Sequence, residues 1–290
     1  HGYFNLLMLD KQLAITKDNL ILTDSFVVAT RLLKDAGLSN ALAVQQAEAQ
    51  KQATALLIPQ LEQSIALEEN ALQLLTGQLP GTISRATSLD DISLPADLST
   101  GLPAAMVSRR PDVRATELSL VMANAQIGIA QAQMYPAVNL TVGGGLESFM
   151  ASNWFNIPGS LFGLASGSIV QPVFNRRALK TQYEVAKLER DQAVTRFRQS
   201  VLQAVTEVSD ALVNVEKLRQ QEEITAARAD TLKQAVFNAR LLFRSDMANY
   251  LEVILAQGAA LRAELDLVLI QREEMGSIVE LYRSLGGGWK

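Results

Sequence analysis

Residues 251–279, LEVILAQGAALRAELDLVLIQREEMGSIV, carry apolar or small side chains at Leu251, Ile254, Gly258, Leu261, Leu265, Val268, Met275 and Val279. The steps are three and four, broken at one slot occupied by Arg272. This is a heptad seam rather than a 3.6-residue face. The run before it gives Val194, Phe197, Val201, Val205, Val208, Leu212 and Val215, with one extra step of four that reads as a stutter. Neither proline nor glycine falls between Leu179 and Phe243. A continuous helix over that stretch is roughly 100 Å long. So long a helix does not fit as one layer of a compact domain, and with the break near Ser245 the pattern predicts an antiparallel coiled-coil hairpin over 175–285.

Composition bounds what such a protein does. Apolar residues make up 48% of the 290, yet no uncharged apolar run reaches the roughly 18 residues of a membrane-spanning helix. The net charge of −4 mixes both signs without a basic patch, which speaks against nucleic acid as a partner. With no cysteine, disulfides and thiolate chemistry are excluded. The only histidine is His1, and neither a P-loop spacing nor a nucleophile elbow is present. No catalytic, cofactor-binding or metal-ligating set emerges, so the reading is that this is not an enzyme. The carboxylate pairs Glu222-Glu223 and Glu273-Glu274 are expected on exposed, solvated helix faces.

Upstream, residues 3–76 read as a second helical hairpin. Its turn is Asp35-Ala36-Gly37-Leu38-Ser39-Asn40, with Gly37 suited to a helix C′ position and Ser39 or Asn40 to the following N-cap. Pro59 is expected to bend or split the second helix of the pair. Residues 77–110 form a linker rich in Gly, Pro, Ser, Thr and Asp, and 111–134 a helix opened by Pro111 and Asp112. The period then changes to two. Val138, Leu140, Val142 and Leu146 alternate with Asn139, Thr141 and Glu147, interrupted by the glycines at 143–145. A second strand follows over 161–170, and Tyr135, Phe149, Trp154, Phe155, Phe162 and Phe174 cluster near the strand ends. An apolar face, a small or polar face and aromatic ends suit one hairpin of a membrane β-barrel over 135–174, although a soluble ribbon packed on helices fits the same pattern.

The two helical hairpins resemble each other. At an offset of 209, Arg31-Leu32-Leu33, Asn40, Leu42, Val44 and Ala47 meet Arg240-Leu241-Leu242, Asn249, Leu251, Val253 and Ala256, seven identities in seventeen positions. This predicts an internal duplication. The first repeat lacks a strand pair, and the chain opens in mid-helix, so a preceding hairpin of strands and a helix are expected outside this sequence.

Four ordered motifs add a resemblance. Gly101-Leu102-Pro103 with Ser108-Arg109-Arg110-Pro111-Asp112-Val113-Arg114-Ala115, Ala123-Asn124-Ala125-Gln126-Ile127-Gly128-Ile129-Ala130 with Tyr135-Pro136, Gln171-Pro172-Val173-Phe174, and Leu281-Tyr282 with Leu285-Gly286-Gly287-Gly288-Trp289 are similar to segments of TolC-like outer-membrane efflux channels. The nearest subgroup is the one paired with resistance–nodulation–division pumps. The resemblance implies a mainly α chain with a membrane β-hairpin. It implies a homotrimer whose long antiparallel helices form a periplasmic α-barrel and whose strands share a 12-stranded barrel in the outer membrane of a Gram-negative bacterium. Its implied partners are outer-membrane lipid, a periplasmic adaptor and an inner-membrane pump, with small molecules passing to the outside; a lipidated N-terminus also occurs in the family. It places the tips Gly37, Leu38, Ser39 and Met247, Ala248, Asn249 at the adaptor, although Asp246 stands where the family usually has glycine. It implies a gate at Glu252, with Arg244 and Asp246 completing a charge network, while Leu255 takes the position where many members have aspartate. The competing reading is a periplasmic coiled-coil adaptor or scaffold without a channel, which leaves the strand pair and the repeat unexplained.

Overall fold

A computed structural model describes residues 1–92, 109–245 and 247–287. The chain is mainly helical with one small antiparallel sheet. Helix α1 spans Gly2–Asp35, α2 Ala41–Leu75, α3 Pro111–Ala132, α4 Ala178–Arg244 and α5 Tyr250–Ser284; strands β1 and β2 span Ala137–Leu146 and Leu161–Val170. The chain divides into two compact units, His1–Pro103 with Thr206–Lys290, and Ala104–Val205. Of the linker, 93–108 lies outside the described residues, as do Asp246 and the final Gly288-Trp289-Lys290.

The first unit is a helical bundle in which α1, α2, the C-terminal part of α4 and α5 pack together. Leu7, Met8, Leu9, Leu89, Val268 and Met275 form one buried cluster, and Phe26, Val27, Ala47 and Val253 another. A third joins Val208, Ala211 and Val215 of α4 to Leu281 of α5. Helix α5 therefore presents two adjacent rows. The row read from sequence, centred on Leu261, Val268 and Met275, turns toward α1 rather than toward its hairpin partner. The row toward α4 holds Glu264, Gln271, Glu274, Ile278 and Leu281. A helix touching two neighbours buries a wider arc than a single seam, and the polar members of the second row hide it from a search for large apolar residues.

Helix α4 also corrects the expected stutter. Val205 is 40% exposed, whereas Ala204 is fully buried and Ala211 nearly so. With those alanines counted, the inward row runs Val194, Phe197, Val201, Ala204, Val208, Ala211, Val215, Leu218, Glu222, Thr225, Ala229, Leu232, Val236, Ala239 and Phe243, in unbroken alternation of three and four. Alanine at the seam lets a neighbouring helix approach closely, so small residues there are packing positions and not gaps.

Three helices close in the same way. Gly37, Gly77 and Gly286 have φ of +76°, +71° and +80°. At each, the next amide bonds back across six residues, from Leu38 to the Leu33 carbonyl, Gln78 to Gln73 and Gly287 to Tyr282. This is the Schellman closure, which a Cβ disfavours. Pro59 does not split α2: the helix runs through it, with Pro59 on an exposed face where the carbonyl it leaves unpaired can meet water. In the second unit, Val113 of α3 packs on Ala204, Phe197 and Val201 of α4. There β1 continues through Gly143-Gly144-Gly145, so the glycines do not interrupt the strand as expected.

Candidate functional site

The sequence-predicted residues fall on two constructions, the turns α1–α2 and α4–α5 and the strand pair. In the first turn Gly37 and Leu38 complete the helix closure, and Leu38 is 77% exposed. Asn40, not Ser39, is the cap of α2, its side chain accepting from Ala43 N at 2.9 Å. The second turn repeats the closure at the same offset and again uses an asparagine cap, although that cap takes the amide two residues on rather than three. The Met247 amide reaches the Leu242 carbonyl at 2.9 Å, matching Leu38 to Leu33, and Asn249 caps α5 by accepting from Leu251 N at 3.4 Å. Met247 and Leu38 are thus equivalent exposed apolar side chains at the two turns.

Of the gate residues, Glu252 is exposed in the first turn of α5, where the helix dipole favours a carboxylate, between exposed Leu251 and fully buried Val253. Arg244 is the exposed last residue of α4, and no ion pair joins it to Glu252 among the described residues. Asp246 lies outside them. The structure adds a residue that sequence reasoning missed. Arg240 is held between α4 and α1, its Nη2 donating to the Leu22 carbonyl at 3.1 Å. Burial lowers its pKa, and the nearby Arg244 charge lowers it further. Arg240 and Arg244 wall a groove of about 620 Å³ together with Leu22, Phe26, Leu33 and Phe243, where the Phe26 and Phe243 rings meet at 5.4 Å. The signal lay in the repeat, since Arg240 is the counterpart of Arg31, which pairs instead with Glu48.

The strand pair is antiparallel with Val138 opposite Ile169, Leu140 opposite Gly167, Val142 opposite Ala165 and Leu146 opposite Leu161. Opposed residues share a face, so one side is aliphatic or glycine throughout. The other is mixed, with Asn139 opposite Ser168 and Thr141 opposite Ser166, but also Ala137 opposite Val170, Gly143 opposite Leu164 and Gly145 opposite Phe162. Val138, Leu140, Val142 and Ile169 are each more than 70% exposed, a continuous uncovered apolar face. A lone two-stranded ribbon with such a face is marginal in water. Phe149, Phe155 and Phe174 are also fully open.

The carboxylate pairs depart from expectation. Glu223 and Glu273 are exposed, but Glu274 is 4% exposed and Glu222 half-buried. Both occupy inward rows of their helices, a position that becomes visible once the alanines define the seam.

Comparison with known proteins gives consistent matches. Residues 102–287 match the family described as outer membrane efflux protein. The cation efflux system protein CusC of Escherichia coli O6:H1 is 30% identical over 291 residues, covering 100% of this chain and 63% of CusC, so the chain spans a little under two thirds of that relative. Among solved structures, the outer membrane protein VceC of Vibrio cholerae superposes with a TM-score of 0.86 at 26% identity, covering 100% of this chain and 69% of VceC. The outer-membrane channel OprN superposes with a TM-score of 0.92 at 27% identity, covering 99% of this chain and 65% of OprN.

Proposed function

The chain belongs to the outer membrane efflux protein family, and from this premise we infer that it is part of an outer-membrane channel subunit that passes small molecules out of a Gram-negative cell. The observation that carries the reading is the open face of β1 and β2 made only of aliphatic side chains and glycine, backed by a mixed face on which Asn139, Thr141, Ser166 and Ser168 stand beside Leu164, Phe162 and Val170. Lipid satisfies the first face and a water-filled lumen the second. Two strands alone leave unpaired edges, which hydrocarbon does not tolerate. The pair is therefore completed by strands from the rest of the protein and from two further copies, giving a trimer with a shared 12-stranded barrel. The long helices line a periplasmic tunnel. Their two turns, with Leu38 and Met247 exposed, dock a periplasmic adaptor that links the channel to an inner-membrane pump of the resistance–nodulation–division type. Glu252, with Arg244, sits at the periplasmic constriction. A scaffold without a channel leaves the apolar strand face without a partner.

Single cysteines at 140 and 141 in the full-length protein test the barrel. Thr141→Cys is expected to react with a membrane-impermeant thiol reagent through the lumen, and Leu140→Cys to stay protected by lipid. Equal reaction at both positions overturns the assignment.

A further inference from the structure

Within the first unit, α1, α4 and α5 enclose a cavity of about 440 Å³. A polar contact marks each end. Arg240 Nη2 donates to the Leu22 carbonyl at 3.1 Å, and Lys233 Nζ pairs with Glu264 at 3.2 Å. Asn19 of α1 and Gln257 of α5 line the cavity and are 8% and 1% exposed. Neither Asn19 Oδ1 nor Gln257 Oε1 or Nε2 has a hydrogen-bond partner among the described residues.

Buried polar groups are seldom left this way. On the same face of α1, Thr16 and Thr23 satisfy their hydroxyls by donating to carbonyls of their own helix. Gln271, two heptads beyond Gln257 on α5, accepts from Lys11 Nζ at 3.1 Å and donates to Glu222 Oε1 at 3.0 Å. At Gln257 the cavity stands where such partners would be.

The three unpaired atoms are two acceptors and one donor. Turning the Gln257 amide over leaves that requirement unchanged, because both of its polar atoms lack a partner. A primary carboxamide presents the complement, two N–H donors and one carbonyl acceptor. Water fits less well. Each molecule needs two to four polar partners, so three atoms anchor about one water, and one water takes up only roughly 30 Å³. Much of the remaining wall is Ile15, Leu22, Val236 and Phe237, and Leu22 and Phe237 are exposed, so the cavity opens outward on their side. The charged side chains of the wall are two of each sign, Asp18 and Glu264 with Lys233 and Arg240, which gives no preference for an ion. The volume falls in the range of about 300–1,000 Å³ that small-molecule sites occupy.

We propose that this cavity binds a small neutral carboxamide carried on an apolar body. The amide bonds to Asn19 Oδ1 and to both polar atoms of Gln257, and the body lies against Ile15, Val236 and Phe237. The site belongs to the helical unit and does not depend on the strands spanning a membrane.

Saturation-transfer NMR of benzamide with the full-length protein in detergent, corrected for empty micelles, tests this. Benzamide carries the required amide on an apolar ring, and saturable binding with a Kd on the order of a millimolar is expected for a ligand of its size. Gln257→Leu removes the donor and one acceptor at similar volume, and since those atoms are unpaired the fold is expected to tolerate it. It is expected to weaken binding tenfold or more. Phe237→Ala, at a side chain that is 69% exposed, leaves folding out of question and is expected to weaken binding severalfold. Methyl benzoate, which has the carbonyl but no N–H, is expected to bind at least tenfold more weakly than benzamide. Absence of saturable binding in the wild type overturns the proposal. So does an affinity unchanged in Gln257→Leu or in Phe237→Ala, equal binding of the ester, or a crystal structure of the benzamide-soaked protein with water alone in the cavity.

Discussion

At the scale of single residues, the tips turn on Gly37. Its φ of +76° lies in the left-handed region, and a Cβ built there meets nothing within 4 Å. A side chain at this position strains the backbone by about 1–2 kcal/mol but collides with nothing in the chain. Substitution therefore separates folding from docking. Gly37→Trp is expected to abolish efflux while leaving the trimer intact by size-exclusion chromatography, and Gly37→Ala, with the same backbone penalty and little bulk, to retain transport. Transport that survives the tryptophan defeats the docking role. The residues of the turn were legible in sequence because glycine and asparagine have few reasons other than turn geometry to stand there. The buried threonines were not. Thr16, Thr23 and Thr30 recur every seven residues on the inward face of α1 and read as surface positions. They are tolerated because each hydroxyl bonds back to a carbonyl of the preceding turn, as Thr16 does to Gln12 at 2.7 Å.

At the scale of the element, the inward row of α4 makes a claim that a pair of substitutions decides. Ala204 is fully buried at a seam position, while Val205 is 40% exposed. Ala204→Leu inserts three carbons into a close-packed contact and is expected to cost about 1–3 kcal/mol. Val205→Leu adds one methylene at a surface position and is expected to change stability by less than about 0.5 kcal/mol. Denaturant midpoints of the two variants decide it, and a stuttered seam through Val205 requires the reverse ranking. The extents of the helices were legible because proline, glycine and capping residues mark their ends. Which face each buries was less so. A search for large apolar side chains passes over alanine, and a helix between two neighbours has two rows, one of them carrying Gln271 and Glu274. Pro59 does not split α2 and the three glycines do not interrupt β1 for a shared reason, since local propensity is outweighed by pairing along the whole element.

At the scale of the molecule, the repeat seen in sequence is also a repeat of bonds. The six-residue closure and the asparagine cap recur at an offset of 209, from Leu38–Leu33 to Met247–Leu242 and from Asn40 to Asn249. The repeat is not carried through into charge. Arg31 has a carboxylate partner in Glu48, whereas its counterpart Arg240 donates to a backbone carbonyl, and Ala43, fully buried, has exposed Glu252 as its counterpart. The two turns carry equally many charges at different positions, Arg31, Lys34, Asp35 and Glu48 around the first and Arg240, Arg244, Asp246 and Glu252 around the second. In a trimer, three copies of Glu252 around one axis form a ring of like charge, which attracts cations and resists full closure unless countered. Conductance of purified full-length trimers in a planar bilayer is the measurement. Glu252→Gln is expected to lower cation selectivity and weaken block by multivalent cations. Glu252 is exposed, so loss of the fold does not confound the comparison. Identical selectivity and identical block in wild type and variant would remove Glu252 from the constriction.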